Sequence, residues 1–248
     1  MTPAWRAAGA ALQLAVPQRE PLSAPLLGSL FAVAGLFAGW LMLAVEAVAQ
    51  LGAARLAGFD AARIALAPPF AVPALHLGAG EQGPWAWAAA LLAGPLLAMI
   101  AGLAVHLGAE ALQAAAWLRV VAFEAFAFAW LRLPLLMLSA GVRGGRGTLS
   151  LLYEHLGEPE SGRWAAIALG LVFLWGIAAL VAWRAVTLGR EWLRADGRGF
   201  RRRAVRLLAG YPFVLATAAY LVDRPTGPLG WLVVILLLVL GALFLRTT

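Results

Sequence analysis

The sequence predicts an all-α integral membrane protein with about six transmembrane helices, and three observations lead there. Of its 248 residues, 63% are hydrophobic and only 12% charged, against about 45–50% and about 25% in a soluble domain. The mean hydropathy is +0.85, and the apolar residues come in long blocks instead of amphipathic stripes. Several blocks exceed the ~18–20 residues that a helix needs to cross a bilayer. So apolar a chain has to bury itself in lipid or protein, which excludes a disordered chain and an ordinary water-soluble domain alike.

Residues 1–23 (MTPAWRAAGAALQLAVPQREPLS) are too short and too interrupted to span, because Pro17, Arg19, Glu20 and Pro21 break the apolar run. They also lack the order of a cleaved leader. An interfacial amphipathic helix anchored by Trp5 and Arg6 is expected. Spanning helices are expected at 24–50, 84–107, 111–138, 164–187, 204–222 and 228–246. The first continues without a breaker through QLGAARLAGF, so its helix should run past the bilayer before Gly58. Between the first two spans, Pro68, Pro69 and Pro73 interrupt an apolar stretch and forbid a regular helix. Irregular apolar backbone beside a bilayer must be buried in protein or line a cavity, so a re-entrant or strand-like element is expected there. The chain thus divides into an N-terminal segment 1–23, a membrane core 24–163, and C-terminal transmembrane helices 164–248 that carry an arginine-rich loop.

Missing residue types narrow the chemistry. There is no cysteine, lysine or asparagine, so disulfides, thiolate metal sites and Schiff-base chemistry are excluded. The Ala/Leu/Arg/Gly bias suits a GC-rich bacterial genome, and the bacterial inner membrane is the expected location. The formal net charge is +7, and in a membrane chain arginine-rich loops report orientation, not nucleic acid. The stretch WRAVTLGREWLRADGRGFRRRAVR holds Arg184, Arg190, Arg194, Arg198, Arg201, Arg202, Arg203 and Arg206. It is read as a cytoplasmic loop, with Arg198, Arg201, Arg202 and Arg203 meeting lipid head groups.

Ionisable residues inside spans are costly, and each needs a reason. Glu46 and Gln50 share one face of the first span, and Glu124 and Arg132 are two turns apart on the third. Interior polar contacts are expected for this set. Arg119, Arg132 and Glu110 are also placed to snorkel to head groups. His106 and Glu110 lie on adjacent turns of the second span, while His76 and His155 fall in loops. A zinc site needs three or four ligands, which this scatter does not supply. No nucleophile elbow accompanies the few serines, and RGGRGT at 143–148 lacks the lysine and spacing of a phosphate-cradling loop.

One series of motifs adds a resemblance. AVEAVAQLGAARLAGFDAARIALAP at 44–68, Ala93-Gly94-Pro95-Leu96 in the second span, LRLPLLMLSAGVRGG at the end of the third and YEHLGEPESGRW beyond it follow in order over residues 40–175. In that order and spacing the chain resembles the site-2 protease family of intramembrane zinc metalloproteases. Ala54, Arg55, Leu56, Gly58 and Phe59 match the tail of that family's first core helix, ARIALAP its following strand, and Pro134 its Asn-Leu-x-Pro proline. The resemblance implies a three-helix core and a helix, carrying His-Glu-x-x-His, that ends towards the cytoplasm. That orientation is opposite to the one arginine content implies.

The departures decide what the resemblance can mean. That chemistry needs two histidines and a carboxylate on zinc and a glutamate to activate water. Here the histidine positions are Val45 and Ala49, the aspartate position is Arg143, and Leu131 and Ala98 replace asparagines. Only Glu46 survives, at the general-base position. The expectation is a catalytically inactive relative, a pseudoprotease and not an enzyme. It would hold no metal and no other cofactor, and would bind or regulate the transmembrane helices of another protein. A structural accessory subunit of a larger bacterial membrane complex is the alternative. An active enzyme with a metal displaced to His106, Glu110, Glu46 or Glu124 is a third reading.

Overall fold

A computed structural model of the chain describes residues 24–60, 62–65, 74–76, 82–143, 159–192, 210, 212–214, 217 and 227–247. The described chain is an all-α membrane protein. Its long helices are α1 (Ala24–Leu56), α2 (Pro84–Ala111), α3 (Ala116–Arg143), α4 (Pro159–Trp192) and α5 (Gly227–Thr247). Two short strands, β1 (Arg63–Ala65) and β2 (Ala74–His76), lie between α1 and α2. Four stretches are long and apolar enough to cross a membrane: Phe31–Leu56, Pro84–Ala111, Trp117–Gly141 and Glu160–Leu188. The apolar stretch Trp231–Leu240 within α5 is shorter. The segment 1–23, most of the expected span 204–222, His155, Pro68, Pro69, Pro73 and Arg198, Arg201, Arg202 and Arg203 lie outside the described residues.

Helix α1 runs past the expected 24–50 and stops where glycine permits it. Gly58 has φ +90, a left-handed conformation that costs little without a Cβ, and the Phe59 N–H reaches back to the Ala54 carbonyl at 2.9 Å. This six-residue closure satisfies a carbonyl at the helix end. Phe59 and Ala54 then pack together with Ala62 and Ala90, and Trp87 meets the Phe59 ring edge-on at 4.9 Å. Gln82 Nε2 donates to the Gly58 carbonyl at 2.9 Å. The end of α1 is thereby joined to the start of α2. The strands between them pair antiparallel, with Arg63 opposite His76, and both contact α1.

The junction of α2 and α3 departs from the sequence expectation. The third span was expected from 111, but α2 continues to Ala111 and α3 begins at Ala116. Gln113 takes φ 48, and the Ala114 N–H closes on the Ala109 carbonyl at 2.9 Å. Neither glycine nor proline marks this turn, so an apolar, alanine-rich run conceals it.

Helix α3 is the centre of the assembly and packs against α1, α2, α4 and α5. Residues 122–129 are buried without a break, which on a helix means that every side is covered. Phe123, Phe126, Leu131, Leu135 and Leu138 join Leu174, Val181 and Leu188 of α4 and Val234 and Leu237 of α5 in the main apolar cluster. Small residues let the backbones approach, as is usual between membrane helices. A Cβ at Gly102 would sit 3.1 Å from the Ala125 carbonyl oxygen, and one at Gly170 2.9 Å from Leu138 Cγ. The outer faces carry exposed Val33, Phe37, Ile100, Val172 and Ile235, as lipid-facing helices should. Trp164 and Trp183 are both exposed on α4. Their separation of 19 residues is roughly 29 Å at 1.5 Å per residue, close to the ~30 Å hydrocarbon thickness that tryptophans flank.

Candidate functional site

On α1 the buried positions Ala38, Met42, Glu46, Gln50 and Ala54 recur every four residues and form one inward stripe. Glu46 therefore faces α3, and Arg132 Nε donates to Glu46 Oε2 at 3.4 Å. The two side chains are only 9% and 13% exposed. Pairing answers the cost that either charge would carry alone in an apolar interior. Gly39 receives the Phe128 ring at 3.5 Å from where its Cβ would be. The contacts 39–128 and 46–132 advance together, so α1 and α3 run parallel.

Gln50, one turn beyond Glu46, does not bond to it. Its Nε2 donates to the Leu91 carbonyl of α2 at 3.2 Å. That carbonyl lacks its ordinary helical donor, because the residue four positions on is Pro95, which has no N–H. Gln50 replaces the missing donor. Gly94 makes the approach possible, since a Cβ there would run into the Gln50 side chain and lie 2.6 Å from the Glu46 carbonyl oxygen. Ala93-Gly94-Pro95-Leu96 thus has a physical role at the α1–α2 contact: the glycine admits α1 and the proline creates the acceptor that Gln50 meets.

Val45 and Ala49 flank Glu46 on α1 and are half-buried. Arg143 is not gathered with them. It closes α3 eleven residues beyond Arg132, about 16 Å along the helix axis, and its side chain lies outside the described residues. The cation beside Glu46 is Arg132.

A second polar cluster sits at the opposite end of α2. Arg184, counted with the arginine-rich stretch yet inside the expected span 164–187, lies within α4, which continues to Trp192. Its Nε donates to His106 Nε2 at 3.1 Å, and its Nη2 donates to Glu110 Oε2. His106 is held by stacking on Phe126, 5.1 Å between ring centroids, and by an edge contact with Phe123. Glu110 and Arg132, expected to snorkel, instead have protein partners. Arg119 Nε likewise bonds to the Ala114 carbonyl at 2.8 Å and supports the α2–α3 turn. For Arg132, well inside α3, an apolar surround makes a fixed partner better than a reach to the surface.

Glu124 is fully buried, and neither carboxyl oxygen has a hydrogen-bond partner among the described residues. The structure does not bring it together with Arg132. Among the described residues no three His, Cys, Asp or Glu side chains converge on a point where a metal ion could be held. The arrangement can pair charges and fix helices against one another; arginines of α3 and α4 pair with the carboxylates of Glu46 on α1 and Glu110 on α2. Compared with family models, with curated proteins and with solved structures, the chain matches none.

Proposed function

We propose that the chain is a catalytically inactive relative of the site-2 proteases, a membrane-embedded protein that binds or regulates a partner through its transmembrane helix. In this reading α1–α3 and the strand pair are the degenerate protease-like core, and the chain has six spans in a bacterial inner membrane. One observation carries the reading. Glu46, which would be the general base, is buried between Val45 and Ala49 and paired to Arg132. A guanidinium in contact with that carboxylate opposes a metal cation and occupies one of its two oxygens. The position of β1 just after α1, and the role of Gly94 and Pro95 between α1 and α2, also support it. Lipid head groups would contact Arg198, Arg201, Arg202 and Arg203.

The alternative of an accessory subunit has its support in the broad exposed apolar faces and in the tryptophans of α2, α3, α4 and α5. One experiment separates the two. The protein is purified from membranes in mild detergent, and the chains that accompany it are identified and counted. A single substoichiometric membrane client is expected; a fixed-ratio assembly of several chains would favour the structural subunit.

A further inference from the structure

The pair Glu110–Arg184 has hydrogen-bonding capacity that the protein does not use. A guanidinium has five N–H donors, and Arg184 uses Nε on His106 and one Nη2 donor on Glu110. The guanidinium also lies over the Trp183 ring, 6.0 Å from its centroid, and Nη1 has no hydrogen-bond acceptor among the described residues. Because His106 Nε2 accepts from Arg184, it has no proton to give Glu110 Oε1, which lies 3.7 Å away. Among the described residues Glu110 Oε1 is thus an acceptor without a donor. The two side chains are 21% and 23% exposed, so these unused groups are accessible.

The pair also stands at membrane-surface depth. Glu110 is the penultimate residue of α2, and Arg184 lies four residues before Leu188, where the apolar run of α4 ends. Trp183 beside Arg184 and Trp117 at the start of α3 are both exposed, as indoles at a head-group layer are. Stacking of His106 on Phe126 holds the cluster in place, so little ordering is left for a ligand to impose.

We propose that Glu110 and Arg184 form a binding site for a phosphoethanolamine lipid head group. The lipid phosphate accepts from the free Arg184 Nη1 donors, and the primary ammonium donates to Glu110 Oε1. The opposed charges of the head group match the opposed charges of the pair. An anionic head group without the amine would meet Glu110 with like charge, and a quaternary choline has no N–H to donate. This site does not depend on the protease-like reading.

The test is native mass spectrometry of the full-length protein, loaded in turn with phosphatidylethanolamine, phosphatidylcholine and phosphatidylglycerol of identical acyl chains. One charge-assisted hydrogen bond should favour retention of the ethanolamine lipid by about tenfold over the choline lipid. In Glu110→Gln that preference falls to near unity, and in Arg184→Gln retention of both lipids falls. Soluble phosphoethanolamine in excess leaves the lipid bound. Equal retention of the ethanolamine and choline lipids by the unaltered protein, a preference for phosphatidylglycerol, or displacement by the soluble head group would each overturn the proposal, and none of these readouts requires a variant to fold.

Discussion

Glu46 and Arg132 hold opposite charges where neither has bulk water, and the value of each depends on the other. Glu46→Leu strands the guanidinium and should cost about 1–3 kcal/mol, read from unfolding midpoints in detergent. Removing both charges, as Glu46→Leu with Arg132→Met, should recover much of that loss, since an apolar pair of similar volume replaces a buried ion pair at little cost. Glu46→Gln keeps an acceptor for Arg132 and should leave the fold nearly unchanged. Gln50 offers a second cycle. Gln50→Leu exposes the Leu91 carbonyl as an unmet acceptor and should cost about 1 kcal/mol; in a Pro95→Ala background the helix supplies its own N–H, and the same change should cost less. Equal costs in the two backgrounds would contradict the role given to Gln50. The inward stripe that carries Glu46 and Gln50 was legible in the sequence, because a four-residue spacing sets a helix face. Their partners were not, since nothing in a linear sequence says which of Gln50, Glu124 or Arg132 reaches Glu46.

At the scale of elements, α2 comes close to α1 at Gly94. Gly94→Ala pushes a methyl group into the Gln50 side chain and the Glu46 backbone, and should destabilise by about 1–3 kcal/mol, as overpacking does. Gly52→Ala is the control, because nothing lies within 4 Å of a Cβ there, and it should be neutral or stabilise by a few tenths of a kcal/mol. Most helix positions followed from apolar run length. The ends followed only where chemistry marked them. Gly58 announced the end of α1, whereas the turn at Gln113 sits in an alanine-rich run that reads as continuous helix. Arg184 fell inside the expected span 164–187, but nothing in the sequence paired it with His106 and Glu110. The strands at 63–65 and 74–76 agree with the irregular element that Pro68, Pro69 and Pro73 imply.

At the scale of the molecule, helices α1 to α4 alternate direction across the membrane. Asp60 and Gln82 therefore lie on one side and Gln113 on the other, the side on which α4 ends. On the positive-inside rule, the arginines that follow α4 in the sequence predict that the Gln113 side is cytoplasmic. A cysteine placed at Gln113 should react with a permeant reagent and resist an impermeant one added outside, while one at Asp60 should react with both; the chain's lack of cysteine removes any background. The reverse pattern would support the orientation that the protease resemblance implies. The central proposal, a protease-like core without proteolytic activity, rests on Glu46 being held by Arg132. The direct measurement is proteolysis in reconstituted vesicles supplied with zinc, comparing the unaltered protein with Glu46→Gln on a panel of single-span membrane substrates. We expect no cleavage product from either protein. A product that forms with the unaltered protein and disappears with Glu46→Gln would show Glu46 acting as a general base, and would contradict the account.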